Sequence, residues 1–183
     1  TMNPTNPTIA VVTPSLNQKL FIAETIRSVL SQEGDFFVDY IIVDGGSTDG
    51  TVQIIEDFAD KLKRGEFPVR CEGISYRWSS EKDKGHADAV NRGLRMARGD
   101  ILGFLNSDDE LYPNALRTVV GIDWERVDFC FGLALWANKT GRELLPYPTF
   151  QPNLYSLYYQ CTLSQPSVFW KRPAFEEIGE FNN

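Results

Sequence analysis

An α/β fold built on a mostly parallel central sheet follows from two features of this sequence. The first is an alternation. Short β-branched runs, Thr8–Thr13 and Asp39–Asp44, are each followed by a segment of helical periodicity, and strand–helix–strand order implies right-handed crossovers between parallel strands. The second is Gly99-Asp100-Ile101-Leu102-Gly103-Phe104-Leu105-Asn106-Ser107-Asp108-Asp109, where an apolar run of strand length stops at a doubly acidic tip. Such a run reads as a strand buried on both faces, and open α/β sheets bind ligands beyond the carboxyl ends of these strands. The 183 residues, 42% hydrophobic and 23% charged, suit one domain with a sizeable core.

Taken in order, Thr8–Thr13 is the first strand and Pro14-Ser15-Leu16-Asn17-Gln18 its polar edge loop. Ile22, Ile26, Val29 and Leu30 then share one helical face to about Gln32, with Gly34 as the stop. The second strand, Asp39–Asp44, runs into Gly45-Gly46-Ser47-Thr48-Asp49-Gly50, whose glycines permit tight turning and whose Thr48 or Asp49 can cap the next helix. That helix shows Val52, Ile55, Ala59 and Leu62 on one face. A third strand lies within Val69–Cys71 or Tyr76–Trp78, and a loop of mixed charge, Ser79 to His86, leads to a helix bearing Ala87, Val90, Leu94 and Ala97. Asn91 falls on that apolar face and needs partners, either the preceding loop's backbone or a ligand. Asp88 pairs with Arg92 four residues on, or contacts the loop. After the strand Ile101–Leu105 come a short helix through Pro113, Leu116, Val119 and Val120, and a long strand over Asp128–Trp136. A hairpin turn at Asn138–Gly141 returns through Arg142–Leu145. The aromatic stretch Phe150–Tyr159 reads as core or as the flank of a pocket. Gln165–Trp170 is a last strand and Pro173–Ile178 a last short helix.

Charge narrows the partners. With 18 Lys and Arg against 25 Asp and Glu the net charge is -7, which argues against nucleic acid or an anionic membrane surface as main partner. No apolar stretch reaches the length of a membrane span, and the polar first residues lack the pattern of a signal peptide, so a cytoplasmic location is expected. Residues 1–7 are read as a tail outside a single domain at 8–183. Cys71, Cys130 and Cys161 are far apart and odd in number, which fits reduced thiols. The single histidine, His86, reads as a surface or capping residue.

Two strand tips carry the candidate chemistry. Asp108 and Asp109 repel each other unless a cation lies beside them, and oxygen ligands favour Mg2+ or Mn2+. The alternative is that Ser107, Asp108 or Asp109 caps the helix near Pro113. Asp44 accepts hydrogen bonds from a ribose or base edge, or closes its own turn. A dinucleotide-binding fingerprint is excluded, because the glycines follow the second strand and not the first.

Four edge elements occur together in order: Pro14-Ser15-Leu16-Asn17; Val43-Asp44-Gly45-Gly46-Ser47-Thr48-Asp49-Gly50-Thr51; Asp83-Lys84-Gly85 with Asp88-Ala89-Val90-Asn91-Arg92-Gly93; and Leu105-Asn106-Ser107-Asp108-Asp109. Joined by Gln165–Trp170 and Glu177–Phe181, they strongly resemble family-2 glycosyltransferases of the A-type fold over nearly the whole chain. The resemblance implies a Rossmann-like three-layer α/β/α sandwich of the nucleotide-diphospho-sugar transferase type. It implies a nucleoside-diphosphate sugar donor, a UDP-sugar first, held by Pro14, Ser15, Asn17, Asp44, Asp83, Lys84 and Asp108. It further implies a Mn2+ or Mg2+ ion on Asp108 and Asp109, and inverting transfer to an acceptor hydroxyl on a glycan or lipid-linked molecule. Asn106 stands where many relatives have Asp. The family's general base lies after the segment resembling Glu177–Phe181, and no residue up to Asn183 matches it. The acceptor part is therefore expected to be missing, with any peripheral membrane contact made through it, and the chain to bind donor while transferring sugar poorly or not at all. A non-catalytic nucleotide-sugar-binding module is the alternative. A sugar nucleotidyltransferase is disfavoured, because no Gly-rich basic phosphate loop follows the first strand.

Overall fold

Thirteen helices and strands are seen in the computed structural model, which describes residues 6–138, 143–153, 155, 159 and 163–182. They are β1 (Thr8–Ser15), α1 (Ile22–Leu30), β2 (Glu33–Asp44), α2 (Thr51–Lys63), β3 (Arg70–Ser80), α3 (His86–Met96), β4 (Ile101–Phe104), α4 (Ala115–Val120), β5 (Phe129–Phe131), β6 (Leu135–Ala137), β7 (Glu143–Pro146), β8 (Val168–Lys171) and α5 (Arg172–Ile178). The main sheet has the order β3-β2-β1-β4-β8-β5, and β6 and β7 form a separate two-stranded sheet. β1 runs parallel to β2 and β4, and β2 parallel to β3; β8 is antiparallel to both β4 and β5. The sheet is thus parallel where the helical crossovers are and antiparallel at the far side.

The alternation of side chains along β1 builds the three layers. Ile9 and Val11 point to one face, where Ile22, Ile26 and Leu30 of α1, Ile55 and Phe58 of α2 and Leu116 of α4 complete a core. Ala10 and Val12 point to the other, against Ala89, Val90 and Leu94 of α3. The small side of the pleat lets α3 come close: a Cβ on Gly93 would sit 2.2 Å from Val12 Cγ1, so only glycine fits there. Between β2 and β3 lies an ion pair whose carboxylate is buried and whose arginine is partly exposed. Arg77 Nη2 donates to both carboxylate oxygens of Asp39 at 2.7 Å, and the Arg98 backbone N–H donates to Asp39 Oδ2 at 2.7 Å.

Several boundaries differ from the sequence reading, each for a local reason. Gly34 does not stop a helix; α1 ends at Leu30, and Gly34 lies inside β2 at a register shift with φ 142°. The two candidates for the third strand belong to one strand, because Cys71 to Ser80 all pair along β2, with one break at the same shift. The long strand over 128–136 is broken: β5 ends at Phe131, the Gly132 N–H turns to Ser167, and β6 leaves the main sheet to pair with β7. Residues 165–167 form a 3-10 turn, so β8 begins only at Val168. The turn residues 139–142, much of the aromatic stretch after Phe150, and Cys161 lie outside the described residues. Among the described residues no helix is long and apolar enough to cross a membrane. Cys71 and Cys130 are free and half-buried, and burial raises both thiols above their usual range.

Candidate functional site

The parallel pairing sets Ser15, Asp44 and Ser80 side by side at the carboxyl ends of β1, β2 and β3. Asp44 is fully buried and accepts from the Gly46 and Ser47 N–H groups at 3.0 and 2.8 Å, from Ser47 Oγ at 2.5 Å and from Ser80 Oγ at 2.7 Å. Of its two readings, these bonds describe closure of its own turn. A carboxylate so enclosed positions the loop, its Oδ2 accepting three of these bonds and its Oδ1 one.

Asn17 likewise acts between loops. Its backbone N–H donates to Ser47 Oγ at 2.7 Å, and its Oδ1 accepts from the Thr48 N–H at 3.0 Å. It holds φ at 53°, a conformation asparagine tolerates better than most residues. Beside it the Gln18 N–H donates to Thr51 Oγ1, and the Lys19 N–H to Asp49 Oδ2. Asp49 also accepts from the Thr51 hydroxyl and N–H, and so closes the turn ahead of α2. The Thr51 hydroxyl above all, with the Lys19 and Thr51 N–H groups, holds the Asp49 carboxyl below its usual range. The first two edge loops are therefore one cross-braced unit.

A cleft of about 340 Å³ opens beside this unit. It brings together Pro14 and Ser15 from the end of β1 with Asp83 and Asp108 from two loops, whereas Asn17, Asp44, Lys84 and Asp109 do not line it. Ser15 lines the cleft, and its Oγ is buried with no hydrogen-bond partner among the described residues. Asp83 is placed by Gly45, where a Cβ would lie 2.6 Å from Asp83 Oδ2, and by the Gly85 N–H, which donates to its Oδ1 at 2.9 Å. The Lys84 N–H donates to Asp88 Oδ2, so Asp88 braces the loop while Arg92 pairs with Glu81.

At the acidic tip the helix-cap reading fails. α4 starts at Ala115 behind Asn114, which is left-handed, and no side chain caps it. Asp108 is exposed at the cleft; Asp109 is half-buried and accepts from Asn106 Nδ2 at 3.2 Å. Burial, and then the Asp108 charge, raise the Asp109 carboxyl above its usual range against the pull of the Asn106 bond. Among the described residues no group of three or more His, Cys, Asp and Glu side chains gathers, so the tip presents two carboxylates.

Gln18, His86 and Asn106 are among the residues of this wall that the sequence reading left out of the site. His86, the first residue of α3, contacts Asn106 Oδ1 through Nε2 at 2.8 Å and packs edge-on against Phe104. The position after Gly85, whose φ of 121° turns the chain into the helix, was the available signal. Asn91 takes a partner that the sequence order hides: its amide brackets Phe181, accepting from the N–H at 2.9 Å and donating to the C=O at 2.8 Å. Phe181 in turn packs on Phe104 and Trp170.

Three comparisons bear on this arrangement. A glycosyltransferase of PGL/p-HBAD biosynthesis from Mycobacterium bovis is 31% identical over 180 residues, covering 96% of this chain and 64% of its own length. The chain thus spans less than two thirds of that relative. Staphylococcus aureus TarS 1–349, solved with UDP-GlcNAc, superimposes with a TM-score of 0.66 at 21% identity over 93% of this chain and 47% of that one. The mannosyltransferase PcManGT from Pyrobaculum calidifontis, solved with GDP-Man and Mn2+, gives a TM-score of 0.65 at 19% identity over 98% and 48%. These two show a shared fold. The family model "Glycosyl transferase family 2" matches residues 10–170, nearly all of the sheet and every loop of the cleft, and the chain belongs to that family.

Proposed function

We propose that this chain forms the donor-binding part of a glycosyltransferase that moves a sugar from a nucleoside diphosphate to an acceptor hydroxyl with inversion. The observation that carries this is the cleft at the carboxyl edge of β1 and β4, where Ser15, whose buried hydroxyl has no partner among the described residues, lines the same space as Asp83 and Asp108. Solved relatives of the fold carry UDP-GlcNAc or GDP-Man, and a UDP-sugar is the first candidate here. The acceptor is a hydroxyl of a glycan or lipid-linked molecule.

The residues divide the work. Pro14 and Ser15 form one wall for the nucleoside, Asp83 the opposing polar group, and Lys84 an exposed cation on the adjoining loop. Asn17 and Asp44 hold the two loops in place and act on the ligand only through them. Asp108 and Asp109 would hold Mn2+ or Mg2+, since they set two carboxylates at one edge, with the Asp109 carboxyl raised by burial and then by the Asp108 charge, and these ions favour oxygen ligands. Such an ion would neutralise charge on the diphosphate leaving group.

Calorimetric titration with UDP, GDP and dTDP, with and without Mn2+, tests the reading. Metal-dependent binding of one nucleotide supports it, and absence of binding to all three overturns it. Gly45→Ala probes the loop geometry separately. Its Cβ pushes Asp83 aside without straining the backbone, so affinity for that nucleotide is expected to fall about tenfold while the melting temperature barely moves. Unchanged affinity would remove Asp83 from the site.

A further inference from the structure

The cleft wall contains a chain of hydrogen bonds whose direction is fixed at one end. Phe104 C=O can only accept, so the Gln165 group 2.7 Å from it is the Nε2 amide, and Gln165 Oε1 is left to accept from Asn106 Nδ2 at 2.9 Å. Asn106 Nδ2 also donates to Asp109 at 3.2 Å. The remaining Asn106 atom, Oδ1, therefore faces His86 Nε2 at 2.8 Å and must receive a hydrogen from it. A neutral imidazole with hydrogen on Nε2 carries its lone pair on Nδ1. The edge-on contact with Phe104, 5.8 Å between ring centres, restrains the ring in the same orientation.

We propose that His86 is a specificity-determining residue of this cleft, set by the Phe104–Gln165–Asn106 relay to accept through Nδ1 a hydrogen bond from a sugar hydroxyl. The inference rests on the donor-binding reading above. It adds what that reading lacks, a ring-nitrogen acceptor at the cleft that can tell a sugar-bearing nucleotide from a bare one. The hydroxyl belongs either to the transferred sugar or to the acceptor; the chemistry at Nδ1 is the same for both.

As the single histidine of the chain, His86 gives one pair of imidazole nitrogen signals in NMR. In the free protein these are expected to show the Nε2–H form. The probes are UDP and GDP alone, UDP-GlcNAc and GDP-mannose, and each nucleotide with free glucose. A shift at Nδ1 with a sugar conjugate but not with its bare nucleotide assigns the hydroxyl to the donor. A shift only when free glucose joins the nucleotide assigns it to the acceptor. Two variants separate recognition from structure: His86→Gln keeps a donor near Asn106 and loses the Nδ1 acceptor, and His86→Asn keeps an acceptor near Nδ1. Gln is expected to weaken the responding ligand about five- to tenfold relative to bare nucleotide, and Asn to preserve most of the difference. An Nδ1 signal silent to every sugar, an Nδ1–H tautomer, or equal losses in both variants overturns the proposal while leaving nucleotide binding intact. Failure of the wild type to bind any nucleotide overturns the donor-site reading and this one with it.

Discussion

Asp108→Asn is expected to abolish Mn2+-dependent nucleotide binding, with affinity falling at least about 100-fold, since even outer partners of a metal site cost 10–100-fold. Asp108 is exposed at the cleft and has little to do with stability, so the melting temperature without metal should hold or rise slightly as the repulsion on Asp109 is relieved. Asp109→Asn should lose metal binding as severely. Its carboxyl is raised by burial and by Asp108, and the sign of the pH effect follows. A carboxyl whose folded pKa lies above its unfolded one favours the protonated folded state, so its contribution is present at low pH and is lost as pH rises through the raised value. The wild type without metal should therefore lose stability on that rise relative to Asp109→Asn, and Mn2+ should restore it. Thermal melts of both proteins across the carboxylate range, with and without Mn2+, check this. Metal binding that survives both substitutions would remove the acidic tip from the site.

Arg77→Met is expected to cost roughly 3 kcal/mol or more of stability, measured by urea unfolding. The Asp39 side chain is 3% exposed and Arg77 25%, so the two halves of this pair are not equivalent. Removing the arginine leaves a buried carboxylate with one backbone N–H for a partner, whereas Asp39→Leu leaves a cation that can reach water. The methionine variant should therefore be the less stable of the two. Equal losses would show that packing and not charge governs the position. Because the pair spans β2 and β3 below the edge that carries Asp44 and Ser80, nucleotide affinity at saturating folding conditions should change little.

Local information made the frame legible. The β-branched run of β1, the helical faces of α1 to α3 and the glycine-rich turn after β2 depend on neighbours a few residues away, and all were readable from Ile9, Ile26, Val90 and Gly46 in sequence. The acidic tip was readable for the same reason, because a buried strand cannot continue through Ser107-Asp108-Asp109. Where the reading went astray, the deciding contact was remote. β2 is longer than expected because β3 pairs with it already at Glu33 and Gly34, ahead of Phe37 where β1 joins, and β5 is shorter because Gly132 turns to Ser167, 35 residues on.

The same division runs through the site. Sequence by itself singled out the candidate residues at the strand ends, and the order of motifs determined the family. Only tertiary structure decided which of them meet: Ser15, Asp83 and Asp108 share the cleft, Asn17 and Asp44 are turned into loop braces, and Asn91 holds Phe181. His86 gained its candidate role only when folding set it beside Asn106, itself oriented by Gln165 from 59 residues further along. The physical reason is that a hydrogen bond is specified by distance and direction in space, and neither is written in the spacing of residues along the chain.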